Sequence, residues 1–170
     1  TQPKLPKMLS VTRIRVNRFV GKGEIYQRAV SNYPNKIQRY FKGIVARGDF
    51  RSPDIILNSG FEMRENVESS LFDGPEGAVT MGKGVSTSRD YFHAEDFGKI
   101  DSKSGYTYII DTINLDRGVY VGGSEDEVNY YENISSENII GYFGDRFGFS
   151  DSSTNIFYSN DNYTGNIKWL

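Results

Sequence analysis

Cysteine is absent from the 170 residues. That excludes disulfide staples, thiol nucleophiles and cysteine metal sites together. Histidine occurs once, as His93, so a histidine-built zinc site or a Ser-His-Asp triad is hard to assemble. Long apolar runs are missing too. Nothing approaches the roughly 18 residues a membrane-spanning helix needs, and no signal-peptide pattern opens the chain. Nor is there an excess of one charge: the formal net charge of −2 supplies no field that favours nucleic acid over other partners. Internal repeats and low-complexity tracts are also lacking.

What is present is aromatic and turn-rich. Hydrophobic residues make up 37% and aromatics 14%, with Tyr 12 and Phe 11, enough to fill one core and leave rings for a cleft. The length suits one domain. With Gly 18 and frequent Asn, Asp and Ser dipeptides, the composition points to many short strands and turns rather than a helical bundle.

Along the chain, residues 1–10 read as a leader or linker tail, with Pro3 and Pro6 beside Lys4 and Lys7. Val11 to Val20 is ambiguous between helix and strand. Glu24 to Ser31 reads as a helix ended by Pro34, and Ile37, Tyr40 and Phe41 offer a second short helical stripe. Residues 1–40 are thus expected to be a leader with supporting helices, and 41–170 the main domain, the two forming one structural unit. Gly43 to Arg47 is the first clear strand. Ser52 as N-cap, Pro53 at the first helical position and Gly60 as terminator mark a short helix. Glu62 to Lys83 is a long polar loop with Phe72-Asp73-Gly74-Pro75 as a turn, and such loops are often functional. Further strands are expected at Gly84–Ser88, Tyr106–Thr112, Gly118–Val121, Asn138–Phe143 and Asn155–Tyr158, with Asn166–Leu170 closing the sheet. A helix begins near Asp90. Strands outnumber helices and the helices sit early, an α+β pattern.

Chemistry concentrates at Gly122-Gly123-Ser124-Glu125-Asp126-Glu127-Val128. In an extended segment Glu125 and Glu127 share a face and Asp126 points away. Two acids beside a glycine turn suit a reaction that makes a cation from a sugar: one carboxylate stabilises the oxocarbenium-like centre, the other orients or deprotonates the attacking group.

Three segments in order, Arg47-Gly48-Asp49-Phe50-Arg51-Ser52-Pro53, Ser86-Thr87-Ser88 and Glu125-Asp126-Glu127, resemble the Arg, Ser-Thr-Ser and Glu-x-Glu motifs of cholera-toxin-like mono-ADP-ribosyltransferases. The first is similar at every signature position: Arg47, Asp49, Arg51 and Pro53. The resemblance covers roughly residues 43–145. It implies an ADP-ribosyltransferase-like α+β fold of two packed mixed β-sheets around an NAD cleft, with short helices mostly in the N-terminal half. It also implies transfer of ADP-ribose from NAD, a co-substrate, to a host protein side chain, arginine above all given Glu125, by a toxin or effector delivered into host cytosol.

By the same resemblance, Arg47, Gly48, Asp49, Arg51, Ser86, Thr87 and Ser88 form the NAD site. Arg47 would cradle the pyrophosphate, a task a bidentate, always charged guanidinium suits. Asp49 and Arg51 either touch NAD or pair with each other. Ser86 would fix the rotamer of Glu127, the acid on the nicotinamide ribose, while Thr87 and Ser88 brace the cleft and Glu125 acts on the acceptor. His93 reads as packing or surface, and Tyr120 as either a substrate contact or core. Without a receptor-binding region, delivery would fall to a partner or parent polypeptide. No nucleic-acid partner, metal or membrane span is expected. Three alternatives stay open: an NAD glycohydrolase that uses water as acceptor, a transferase acting on a non-arginine acceptor, and a noncatalytic module displaying Arg47-Gly48-Asp49 for adhesion.

Overall fold

The computed structural model describes residues 8–10, 13–30, 33–63, 84–97, 105–144 and 156–167. In chain order these give β1 (Met8–Ser10), α1 (Arg13–Asn17), β2 (Gly23–Val30), β3 (Tyr33–Asp49), α2 (Pro53–Ser59), β4 (Val85–Ser88), α3 (Tyr91–Phe97), β5 (Tyr106–Asp111), β6 (Gly118–Gly122), β7 (Glu127–Tyr130), a 3-10 turn (Ser136–Asn138), β8 (Ile139–Phe143) and β9 (Ile156–Ser159). The strands hydrogen-bond in the order β1-β9-β8-β5-β3-β4-β7-β6, with β2 also on β3 and a further β3–β6 contact. Every pairing among the described residues is antiparallel.

Two mixed sheets were expected; the described strands form one antiparallel network instead. The reason is β3. At 17 residues it is long enough to serve both halves. Its first part pairs with β2, and through Tyr40 with Val119 of β6. Its second part pairs with β5, and through Ala46 with Ser88 of β4. The handover occurs at Gly43, which lies opposite Gly23. There Thr112 binds the Gly43 carbonyl through both its backbone N–H, at 2.8 Å, and its hydroxyl, at 2.7 Å.

The helices expected at 24–31 and around 37–41 are strands β2 and β3. The apolar spacing of Ile25, Tyr26, Ala29 and Val30 fits a helical stripe, but in β2 each residue has a partner on β3, from Glu24↔Lys42 to Ala29↔Ile37. Burial in β3 alternates from Gln38 to Tyr40 with Arg39 exposed, the period of a strand. Pairing along a whole hairpin thus overrides a weak local preference. The leader expected over 1–10 is corrected at its end, where Met8–Ser10 form β1 and pair with β9. The expected boundaries of α2 hold. Pro53 opens α2, and the Gly60 N–H ends it on the Ile56 carbonyl at 2.7 Å. Ser52 has the extended N-cap backbone, although its hydroxyl makes no capping bond. Asp90 caps α3, its Oδ1 accepting from the Phe92 and His93 N–H groups at 2.9 and 3.4 Å. Asn166 and Ile167 are not in a strand. The turn at Phe72–Pro75 and most of the long loop lie outside the described residues.

Both faces of the second part of β3 are buried. Phe41 and Val45 join Tyr108, Ile110, Val128, Tyr130, Ile56 and Phe61 on one side. Ile44 and Ala46 join Ile109, Ile140, Phe143 and Phe157 on the other, under Val16 and Val20 and under Tyr91 and Ala94 of α3. Fully burying each large side chain here contributes roughly 1.5–3 kcal/mol, so the end of β3 is a firm platform. No helix among the described residues is long and apolar enough to cross a membrane.

Candidate active site

Strands β3 and β4 touch in register only at Ala46↔Ser88, and beyond that point they diverge. Between them lies a cavity of about 530 Å³ lined from β3 by Arg47, Gly48 and Asp49, from β4 by Ser86, Thr87 and Ser88, and from the hairpin turn by Glu125 and Glu127. Arg51 also lines it. All the candidate site residues meet here, whereas Pro53 of the first motif starts α2 instead.

On β3, Arg47 and Asp49 project from one face of the strand. The Arg47 guanidinium donates from Nη1 to the Ser86 carbonyl at 2.7 Å, spanning the gap between the diverging strands. From Nε it reaches Asp49 Oδ2 at 3.3 Å, and it lies over the Phe61 ring, 5.3 Å from the centroid. Asp49, only 5% exposed, accepts from Arg51 as well: Nε on Oδ1 at 3.0 Å, Nη2 on Oδ2 at 2.7 Å, and the Arg51 backbone N–H on Oδ1 at 2.9 Å. One buried carboxylate therefore orients two guanidiniums. Of the two roles left open for Asp49 and Arg51, the geometry shows the pairing. The buried Tyr108 hydroxyl anchors the segment further, donating to the Arg51 carbonyl at 2.7 Å.

Burial pushes the Asp49 carboxyl up, but the Arg51 hydrogen bonds and the neighbouring Arg47 charge together outweigh it and hold it below the usual carboxylate range. A depressed folded-state pKa adds stability that is present above the unfolded value near ~4 and is lost as the pH falls through the folded one. Wild-type protein should therefore lose this contribution on acidification below about pH 4. In Asp49→Asn, the destabilisation seen at neutral pH should shrink as acid is added. Urea unfolding of both proteins at neutral pH and at acid pH measures it; a gap independent of pH would show that the carboxylate charge is not what stabilises.

Strand β4 faces β7, with Ser88 opposite Glu127, Thr87 opposite Val128 and Ser86 opposite Asn129. Ser86 and Glu127 are then diagonal neighbours on one face, and the Ser86 hydroxyl donates to Glu127 Oε2 at 2.7 Å. Thr87, on the opposite face, donates to the Val128 carbonyl at 2.8 Å. The Ser88 hydroxyl donates to the Glu125 carbonyl at 2.6 Å and accepts the Asp90 N–H at 2.9 Å. These two hydroxyls are spent inside the protein, bracing strand and turn, while Ser86 alone of the three grips an acid.

The premise of an extended acidic segment needs correction. Residues 123–126 form the turn between β6 and β7, and only Glu127 is in a strand. Gly122 and Gly123 have φ of 76° and 75°, a conformation open to glycine at little cost, and an irregularity between Tyr120 and Gly122 shifts the β6–β7 register. Both glutamates still reach the cavity, Glu127 from the first position of β7 and Glu125 from the turn before it. His93 is exposed on α3, in keeping with a surface role.

Sequence reasoning missed Phe61, Glu62, Phe50 and Phe97, which also line the cavity. Phe50 and Phe97 stay 63% and 58% exposed, which puts them at its rim. Phe50 stood inside the arginine motif, and a phenyl ring flanked by Asp49 and Arg51 was the available signal. Phe61 carried none, since it arrives through backbone pairing with Ile134, two bonds of 2.8 Å. Among the described residues no cluster of His, Asp and Glu could hold a metal.

No protein-family model matches the chain, and no curated protein matches it in sequence. Solved structures match it in shape. Scabin toxin from Streptomyces scabies in complex with NADH does so with a TM-score of 0.54 at 21% identity, over 74% of this chain and 78% of that one. A guanine-specific ADP-ribosyltransferase gives 0.54 at 22% identity, over 78% and 84%. A guanine-specific ADP-ribosyltransferase with NADH and GDP gives 0.51 at 21%, over 78% and 84%. The diverging antiparallel strands, with an arginine on one and a serine on the other, are thus built on the fold of ADP-ribosyltransferases.

Proposed function

We propose that the protein is an NAD-dependent mono-ADP-ribosyltransferase of the cholera-toxin-like kind, with arginine of a host protein as acceptor. The observation that carries this reading is the 2.7 Å bond from Ser86 to Glu127, in the same cavity as Arg47 and Glu125. Arg47 holds the pyrophosphate of NAD, its guanidinium kept in place by Asp49, which Arg51 anchors in turn. Glu127, its rotamer fixed by Ser86, places a negative charge beside the nicotinamide ribose. As the bond from ribose C1′ to the nicotinamide nitrogen breaks, its electron pair leaves with nicotinamide, and the carboxylate stabilises the positive centre left behind. A nucleophile on the acceptor then bonds C1′ and gives its proton to Glu125. The toxin similarity and the NADH in two of the structural neighbours support NAD as donor and a delivered toxin or effector as the setting.

A guanine base is the second acceptor reading, favoured by the guanine-specific enzymes among the structural neighbours. Glu125 favours arginine. The adhesion reading loses ground, because the aspartate of Arg47-Gly48-Asp49 is buried and already bound by two arginines. Labelled NAD incubated with agmatine, with GDP and with host lysate separates the readings, with mass spectrometry locating the label. Label on agmatine or protein arginine supports the first, and label on GDP the second. Nicotinamide release without label transfer leaves the glycohydrolase, and no release at all sinks the whole proposal.

Arg47→Ala should fold normally, since Asp49 keeps its three bonds to Arg51, yet bind NAD weakly. A charge-assisted hydrogen bond is worth about 1.5–3 kcal/mol, roughly one to two decades of affinity. Calorimetry with NAD on the folded variant measures it, and unchanged affinity would remove Arg47 from the phosphate site.

A further inference from the structure

Asp126, between the two glutamates, has φ of 50°, and it is the one non-glycine residue with positive φ among the described residues. Aspartate tolerates this left-handed conformation better than most residues but does not prefer it, and such outliers persist where the surroundings over-determine them. Here they do. The Tyr120 hydroxyl donates to Asp126 Oδ1 at 2.7 Å. Arg89 Nη1 approaches the same oxygen at 3.4 Å, and the Arg89 backbone N–H donates to the Asp126 carbonyl at 3.0 Å. Arg89 is itself braced, its Nη2 on the Gly21 carbonyl at 3.3 Å and its guanidinium over the rings of Phe41 and Tyr120 at 5.1 and 5.4 Å. Within the turn, the Asp126 N–H donates to the Gly123 carbonyl at 3.1 Å.

We propose that Tyr120, Asp126 and Arg89 form a clip that fixes the acidic turn from behind, making Tyr120 a positioning residue for Glu125. Glu127 needs the clip less: it is paired with Gly122 and Ser88 in the sheet and bonded to Ser86. Glu125 is in the turn itself and depends on how that turn is held, by the clip on one side and by Ser88 on the other. The consequence for catalysis rests on the transferase reading above, whereas the clip itself does not.

Tyr120→Phe removes one hydroxyl from a half-buried ring, and Asp126→Gly removes the carboxylate while leaving the backbone conformation accessible. Amide hydrogen exchange is read first. The N–H groups of position 126 and of Arg89 should exchange at least about tenfold faster in both variants, relative to the intrinsic rate of the residue present, while those of the β4–β7 ladder stay as they were. Unchanged exchange at both amides in Tyr120→Phe overturns the clip, whatever the activity. The double variant should lose no more protection than either single one, as expected of residues acting as a unit; additive losses would also overturn it. In wild-type protein that transfers ADP-ribose, Tyr120→Phe should lower transfer relative to NAD hydrolysis through kcat, with KM for NAD unchanged. A wild type that never consumes NAD would defeat the functional reading and leave the exchange result to judge the clip.

Discussion

Glu127→Gln should abolish both ADP-ribosyl transfer and NAD hydrolysis. The amide keeps the size of the side chain and can still accept the Ser86 hydroxyl, so the site should assemble. What it loses is the charge facing the developing cation, and removing one such preorganised electrostatic partner costs roughly 10²–10³-fold in turnover. Glu125→Gln should behave differently. Its backbone carbonyl still receives the Ser88 hydroxyl, so the turn is kept, but the proton acceptor for the incoming nucleophile is gone. Transfer should then fall to background while hydrolysis remains measurable, because water can be deprotonated into solvent. Nicotinamide release and label incorporation, assayed in parallel on both variants, report the two steps. Equal loss of hydrolysis in both would mean that the carboxylates act as one unit and that the division of labour is wrong.

A large stability effect is expected at Gly43, far from the acids. A Cβ there would stand 2.2 Å from the Lys22 carbonyl oxygen and 2.7 Å from the Gly23 Cα. Both are backbone atoms, so neither can swing aside as a flexible side chain would. Gly43→Ala must therefore push β2 away from β3 at the point where β3 changes partners, and with it the Thr112 bonds that hold the junction. Overpacking against fixed backbone costs about 3 kcal/mol, which for a chain of this size lowers Tm by roughly 6–12 °C. Gly123→Ala is the comparison, since a Cβ there meets nothing within 4 Å and only the left-handed backbone resists, at about 1–2 kcal/mol. Thermal melts of the two settle it: if Gly43→Ala is the milder, the close approach of β2 and β3 is not what the junction depends on.

Legibility in the sequence followed how local each cause was. Helix α2 was readable because Pro53 and Gly60 act on their own backbone. The cleft residues were readable because Arg47, Ser86 and Glu127 come in short segments with chemically distinctive side chains, and the bond between Ser86 and Glu127 is the one the motifs imply. Strand β2 was not, because Ile25, Tyr26, Ala29 and Val30 satisfy a helical stripe and are strand residues only through their β3 partners. The aim of Glu125 was inferred from strand alternation and is produced by a turn. The role of Arg89 was invisible for a related reason: it is defined by contacts far away in the chain, with Gly21, Phe41 and Asp126.

Strand β3 also bears on how quickly the protein acquires its cleft. Its partners are scattered along the chain, from β2 just before it to β4, β5 and β6 well after it, and Arg47 is set only when it lies beside Tyr108. Closing such distant pairs spends chain entropy before any contact repays it, and folds dominated by them take milliseconds to seconds. Collapse of the aromatic core can precede that by orders of magnitude, since it takes roughly 10–100 μs even in chains of about 100 residues. The pocket is thus a late product of folding: a chain can be compact, with its tyrosines already sequestered, and still have nowhere for a nucleotide to sit.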